Sequence, residues 1–391
     1  MKNKVGKYWK KRCLLAENVI SETPCDPDIH KYQIEAHTKW EESKLKGTLK
    51  NLEGGNFNIN ISENDDKNNT IVNFPDANLE SVIRSTLNKP TGDIMISDCE
   101  SLTTFNSNHK RGTLENEKIT NLEGLQYFIN LTELYLSHNQ ITDINALGNL
   151  YNLKSLYIDH NQIIDISIVS NLTKLTHIKL NSNQIIDINA VSNLVKLKIL
   201  DLWNNQIIDI SGLSNLTKLI RLELSINLII DISPISNLIK LKQLSLCNNQ
   251  IENIGALGNL IKLTHLWVYN NQISDISAIS NLTNLTILKL DNNNINDISA
   301  LSNLIKLTHL YFYNNQIIDI STINNLTRLT HLALWDNQII NIDTIDNLTT
   351  LTELWINSDQ ISAINKETQS LIDWHKVNKC HVHYIQDPKE E

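Results

Sequence analysis

Histidine and cysteine side chains lie close together near the end of this sequence. His375, Cys380, His381 and His383 fall within one short stretch, and imidazole and thiolate are common protein ligands of zinc. On a β-strand, however, His381 and His383 share one face while Cys380 points to the other. We therefore expect no metal site here, and these histidines should be structural or solvated.

A second set of histidines recurs at a regular distance along the chain. His265, His309 and His331 are 44 and 22 residues apart, so the last two should lie on neighbouring strands about 4.8 Å from each other. This distance would allow two metal ligands, yet no carboxylate completes such a site. We expect these histidines to belong to a surface patch and to hold no metal ion.

Common catalytic motifs are absent from the sequence. It contains no phosphate-binding GxxxxGK[ST] loop, no GxSxG nucleophile motif and no GxGxxG dinucleotide motif. We therefore predict that the protein is not an enzyme, and we expect neither catalytic residues nor a cofactor.

The spacing of the histidines follows from an internal repeat of 22 residues. The first full copy, LTELYLSHNQITDINALGNLYN, begins at Leu131, and ten more copies follow in the same register, the last from Leu351. A degenerate copy precedes them at residues 119–125. The pattern LxxLxLxxN with a period of about 20–29 residues is typical of leucine-rich repeats. The predicted fold class is therefore an α/β solenoid, a leucine-rich-repeat horseshoe with a small helical N-terminal region.

The pattern of apolar and polar residues within each copy predicts its secondary structure. Positions 4 and 6 are apolar whereas positions 3, 5 and 7 vary, as in a strand with one buried face. Each copy should thus add one strand to a curved parallel sheet on the concave face. The return segment is too short for a full α-helix, and 3₁₀ or irregular turns are expected on the convex face. Position 9 is Asn in ten of eleven copies and should bind backbone groups of adjoining coils.

Aromatic residues concentrate at positions 3, 5 and 7, which project from the concave face. Four of seven Trp and five of ten Tyr fall there. Exposed Trp and Tyr are typical of interface hot spots, although stacking across adjacent strands also stabilises a sheet by roughly 0.2–1 kcal/mol per pair. Sugar rings also stack on such side chains, so glycan binding is a further alternative. We predict that the C-terminal cluster binds a partner through His265, Trp267, Tyr269, His309, Tyr311, Tyr313, His331, Trp335 and Trp355.

The consensus NQIxDIxxLxNLxxL resembles the 22-residue repeats of internalin-like bacterial leucine-rich-repeat proteins. The preceding segment, beginning Asn73-Phe-Pro-Asp-Ala-Asn-Leu, is similar to the helix-and-strand cap that such proteins place before their first repeat. The resemblance extends over about residues 73–365 and implies a non-catalytic recognition protein of the adhesin or effector type. Its partner would be another protein, of a host or of an envelope.

A regulatory role inside the cell is the alternative, because cytoplasmic leucine-rich-repeat proteins that dock on phosphatases share a similar period. The net charge of −9 gives no reason to expect nucleic-acid binding, and no apolar run is long enough for membrane insertion. The apolar stretch 13–16 is shorter than the hydrophobic run of about 7–15 residues that a signal peptide needs. We expect a monomer that is cytoplasmic or exported by a non-Sec route, whereas the resemblance implies a secreted or surface protein.

Cysteine usage and composition complete the prediction. Five scattered cysteines argue against a disulfide framework and suit a reducing compartment. Changes in pattern along the chain predict five parts: residues 1–46, a helical hairpin of unknown role; 47–72, a polar linker; 73–108, an N-terminal cap; 109–364, the repeats, one degenerate and eleven complete; and 365–391, a C-terminal cap and tail.

Overall fold

The computed structural model describes residues 70–108, 114–357 and 380–385. The chain divides into two units, Met1–Glu63 and Asn64–Glu391, and every described residue belongs to the second. The predicted hairpin and nearly all of the predicted linker lie outside the described residues, as do most of the predicted C-terminal cap and tail and His375 within it.

Thirteen parallel strands follow one another in sequence order in a single open, curved sheet, as predicted from the repeat. Each copy contributes one strand because its positions 3 to 5 pair in register with those of the next copy. The strands are β1 (Thr104–Asn106), β2 (Glu133–Tyr135), β3 (Ser155–Tyr157), β4 (His177–Lys179), β5 (Ile199–Asp201), β6 (Arg221–Glu223), β7 (Gln243–Ser245), β8 (His265–Trp267), β9 (Ile287–Lys289), β10 (His309–Tyr311), β11 (His331–Ala333), β12 (Glu353–Asn357) and β13 (His381–Ile385).

Short 3₁₀ turns occupy the convex side, which confirms the prediction from the length of the return segment. An acidic residue or Asn commonly begins the turn: the Asp165 carboxylate, for example, accepts the Ser167 N–H at 2.8 Å. The turns span Glu115–Glu117, Leu125–Tyr127, Asn145–Leu147, Ser167–Asn171, Asn189–Asn193, Ser211–Leu213, Ser233–Ile235, Gly255–Leu257, Ser277–Asn281, Ser299–Leu301, Ser321–Asn325 and Asp343–Asn347.

One hydrophobic core runs along the array between the sheet and the turns. In the copy that begins at Leu197, the apolar side chains Leu200, Leu202, Ile207 and Ile210 are at most 1% exposed, and equivalent positions are buried in the other copies. A single copy cannot enclose these side chains, so the array is stabilised by stacking of neighbouring copies.

The asparagine at position 9 binds neighbouring copies to each other, as predicted. The Asn227 side-chain oxygen accepts the Ile207 N–H of the preceding copy at 3.0 Å. Its amide nitrogen donates to the carbonyls of Leu202 at 3.1 Å and Leu224 at 3.0 Å. Equivalent bonds recur through the array. Because buried backbone groups need partners, this ladder is part of the scaffold.

Two α-helices precede the repeats, α1 (Ala77–Thr86) and α2 (Ile96–Glu100). Leu79 and Ile83 of α1 are fully buried and cover the first coil. One oxygen of Asp76 caps α1, and the other accepts the N–H groups of Thr120 and Asn121. Burial opposes ionisation of Asp76, but these hydrogen bonds hold its carboxyl pKa below the usual value. The carboxylate thereby connects the helix to the degenerate copy.

Backbone contacts with the segment just before α2 begin ahead of the predicted start at Asn73. The Val72 N–H donates to the Ile94 carbonyl at 2.8 Å, and Ile71 forms an antiparallel bridge with Met95. Val72 is also buried. Backbone pairing therefore extends to Ile71 and Val72, which were predicted to belong to the polar linker.

Candidate recognition surface

All nine residues predicted to bind a partner lie on the concave side of the sheet, and each is half-buried. Their side chains point away from the core, because the buried positions 4 and 6 lie on the opposite face of each strand. We call the concave side of β8–β12 and the residues just after these strands the aromatic segment. Its predicted residues are His265, Trp267, Tyr269, His309, Tyr311, Tyr313, His331, Trp335 and Trp355.

Rings at equal positions of adjacent copies stack on one another. Tyr313 and Trp335 are nearly parallel, with ring centroids 4.3 Å apart. His309 and His331, which face each other in the sheet register, have centroids 4.2 Å apart. Stacking limits the rotamers of each ring, so the side-chain entropy of these rings is already restricted. The sequence favoured a binding role over sheet stabilisation, and the observed stacking is compatible with both.

A small residue separates two of the large rings. Ala333 pairs with Tyr311 on one side and with Trp355 on the other. The two rings lean over it, with centroids 6.2 Å apart, and leave Ala333 only 2% exposed. The Lys289 ammonium lies 4.7 Å from the centre of the Tyr311 ring, a cation–π contact. Aromatic faces and a positive charge therefore share one surface.

A buried carboxyl supports the same segment. Asp291 follows β9, is 3% exposed and accepts a hydrogen bond from the Tyr313 hydroxyl. Burial raises the pKa of Asp291 to about 6, although Tyr313 and Lys289 oppose this rise. Burial also raises the Tyr313 pKa, which keeps its hydroxyl protonated as the donor. The sequence placed Asp291 on the concave face as a charge near the rings, but it did not indicate the burial of this carboxyl or its hydrogen bond with Tyr313.

The end of the array adds a histidine that the repeat pattern does not include. His383 of β13 stacks on Trp355 with ring centroids 4.9 Å apart, and its Nε2 lies 2.7 Å from the Glu353 carboxylate. This hydrogen bond is the main cause that lowers the Glu353 pKa. Cys380 is fully buried while His381 and His383 are exposed, which confirms the predicted opposition of these side chains.

The described thiols are poorly suited to covalent chemistry. Cys99, Cys247 and Cys380 are buried and unpaired by disulfides. Burial raises the pKa of Cys99 to about 12 and the pKa of Cys247 and Cys380 to about 11. Since the thiolate is the nucleophile, little of the reactive form is present near neutral pH.

A further group on the concave rim was not predicted. His138, Asp159 and His160 lie together at the first two full copies. Both histidines occupy position 8 of their copies and are therefore 22 residues apart. This spacing is the signal in the sequence that indicates their proximity.

Among the residues that the structure describes, no helix combines the length and the apolar character needed to cross a membrane.

The repeats match the family described as Leucine Rich repeats (2 copies) over residues 129–237 and 239–325. No curated protein sequence matches the chain significantly. Fold, repeat and concave surface together define a leucine-rich-repeat protein, a class that binds other proteins and is typically not catalytic.

Solved structures identify the branch of this class. An internalin (inlF) from Listeria monocytogenes is 35% identical, with 81% of this chain and 96% of that chain covered and a TM-score of 0.72. The chain belongs to the internalin-like leucine-rich-repeat proteins of bacteria. The functional domain of InlJ from Listeria monocytogenes (22% identity, 75% and 78% covered, TM-score 0.55) and a Leptospira interrogans leucine-rich-repeat protein (23%, 69% and 82%, 0.55) share the fold.

Proposed function

We propose that this protein recognises another protein through the aromatic segment, as an adhesin or effector of the internalin-like kind. The observation that carries the proposal is the row of half-exposed, mutually stacked rings, above all Tyr313 on Trp335. Trp and Tyr supply most of the binding energy in many protein interfaces. A host or envelope protein is the proposed partner.

The fold itself does not require these rings. At positions 5 and 7 the neighbouring copies have Ser245 and Cys247 without any change in strand register, and Ala333 occupies position 5 inside the segment. Partly exposed apolar surface carries a solubility cost and often marks an interaction site. A binding role accounts for rings that packing alone does not demand.

The charge pattern supports a protein as the partner. Lys289 and the Glu353 carboxylate flank the rings, so the surface combines apolar faces with charges of both signs. Such a polar rim around aromatic anchors is typical of protein interfaces. Stacking also pre-organises the anchors, which lowers the entropy cost of association.

A comparative pull-down tests the proposal with the full chain. Wild type and Tyr313→Ser/Trp335→Ser would be incubated with solubilised host membranes and with bacterial envelope extract. Serine is native at this position in another copy, at Ser225, so the variant should fold. We expect a protein captured by wild type to be lost with the variant. Equal capture by both would contradict the proposed surface.

Detection of the native protein distinguishes an exported role from an intracellular one. We expect antibody signal on intact bacteria or in culture supernatant, with a cytoplasmic marker as the lysis control. Signal found only after lysis would contradict the adhesin or effector assignment, even if the aromatic segment binds a protein.

A further inference from the structure

Position 8 of the repeat places side chains of adjacent copies side by side. From His138 to Asp336 its backbone is left-handed, with φ between 50° and 62°. The same conformation in consecutive copies directs the side chains alike. In the first two full copies both residues are histidine, and the His138 and His160 rings stack with centroids 4.1 Å apart.

A carboxylate lies beside this histidine pair. One Asp159 oxygen is 2.9 Å from His160 Nδ1, and the Asp159 carbonyl accepts the His138 N–H at 2.9 Å. One potential ligand atom from each of the three residues lies within 4.8 Å of the others. Two imidazoles and one carboxylate therefore meet just after strands β2 and β3.

We propose that His138, Asp159 and His160 form a binding site for a divalent transition-metal ion of the zinc class. Zinc binds His nitrogen and carboxylate oxygen at about 2.0–2.2 Å. A tetrahedral ion with such bonds separates its ligand atoms by about 3–3.5 Å, and the observed Asp159–His160 distance of 2.9 Å is close to this. Small side-chain rotations bring the third ligand into range.

The surroundings of Asp159 are those of an oriented ligand. The Ser137 hydroxyl donates to the second carboxylate oxygen at 2.7 Å, and such outer hydrogen bonds fix ligating carboxylates. The Asp159 side chain is 14% exposed and that of His160 is 40% exposed, so an ion can reach them from solvent. Three protein ligands leave at least one coordination position for water or for a donor group of a binding partner.

The stacked pair His309 and His331 differs from the pair His138 and His160 in the groups around it. His309 and His331 stack at a similar distance, but the Nδ1 of each is paired with the hydroxyl of a threonine, Thr308 or Thr330. Within residues 70–108, 114–357 and 380–385, only His138, Asp159 and His160 form a group of three potential ligands this close. The carboxylate, rather than the stacking, distinguishes a metal site from a sheet contact.

The repeat itself supplies matched variants for a test. Left-handed position 8 is Asn in five other copies, including Asn204 and Asn248, so His138→Asn/His160→Asn should fold. Position 3 is Gln at Gln243, so His309→Gln/His331→Gln is a matched control. The experiment uses tag-free, full-length protein stripped with EDTA. Isothermal titration with ZnCl₂, and cobalt absorption spectra, measure binding.

We expect wild type and the His309/His331 control to bind zinc at a site that the His138/His160 variant loses, with at least about tenfold weaker affinity there. The cobalt band of wild type should be weakened in the same variant. Calcium and magnesium, which prefer all-oxygen ligands, should not compete. The proposal is overturned if wild type binds no zinc, or if the His138/His160 variant binds it like wild type. It does not depend on the proposed function, because metal binding is measured without a protein partner.

Discussion

Two neighbouring parts of the concave face share one scaffold but differ in their surface. The polar segment, at β6 and β7, has Arg221, Glu223, Ser225, Gln243 and Ser245 on this face, with Ser225 and Ser245 hydroxyls 2.5 Å apart. The aromatic segment has stacked rings at the same positions. Beneath both, the leucine core and asparagine ladder are alike. The fold is therefore independent of the residues on this face.

The comparison implies that scaffold substitutions are equally harmful in both segments. Asn227→Ala under the polar segment and Asn315→Ala under the aromatic segment each remove bonds to one backbone N–H and two or more carbonyls. An unsatisfied buried group costs about 1–3 kcal/mol, so we expect each variant to lose about 4 kcal/mol of the free energy of unfolding. Urea melts measure this loss.

A large difference between these two asparagine variants would contradict the shared scaffold. The exposed convex residue Lys196 provides the control, since Lys196→Ala should leave the urea midpoint nearly unchanged.

The buried carboxyl of the aromatic segment should give it a pH response. Asp291 has a folded-state pKa of about 6, above its usual value, so the folded protein binds this proton more tightly than the unfolded chain. The contribution of Asp291 to stability is then fully present below about pH 4, is lost as pH rises towards 6, and changes little above. Asp291→Asn removes the charge. Asn181 occupies the same position in another copy and is buried there, so Asn fits this position.

We expect Asp291→Asn to stabilise the protein relative to wild type more at pH 7.5 than at pH 4.5. The stabilisation at the two pH values should differ by on the order of 1–2 kcal/mol, and the melting temperatures should change accordingly. Thermal melts at both pH values measure it. An effect of equal size at both would show that the carboxyl does not titrate in this range.

Ring removal should affect folding less than the asparagine substitutions do. Trp335→Ser breaks the stack with Tyr313, and a cross-strand aromatic pair is worth roughly 0.2–1 kcal/mol. We expect a loss of about 1 kcal/mol in thermal or urea melts, with the cooperative transition retained. A loss as large as that of Asn315→Ala would mean that the aromatic segment is itself scaffold.

The sequence predicted the periodic features well because each of them depends on the spacing of residues within one copy. The apolar positions 4 and 6 predicted the strands, and the length of the return segment predicted the 3₁₀ turns. The repeated Asn at position 9 predicted the ladder. All nine candidate residues were placed on one face by the same register, whereas their binding role stays a prediction.

Features outside the period could not be predicted in this way. The contact of His383 with Glu353 joins residues 30 positions apart, where no repeat fixes the register. Asp291 accepts a hydrogen bond from Tyr313 of the next copy, a contact that the pattern of its own copy does not show. Ring orientation is also a property of packing, so the sequence could not distinguish stacked rings from isolated ones.

Calorimetry with the identified partner tests the central claim most directly, by comparing matched changes in the two segments. Tyr313→Ser/Trp335→Ser should weaken binding at least about thirtyfold, which corresponds to about 2 kcal/mol. Arg221→Ser/Gln243→Ser in the polar segment and Lys196→Ala on the convex side should change affinity less than about threefold. Binding through the aromatic segment is contradicted if the aromatic variant binds like wild type while the polar-segment or convex variant loses affinity.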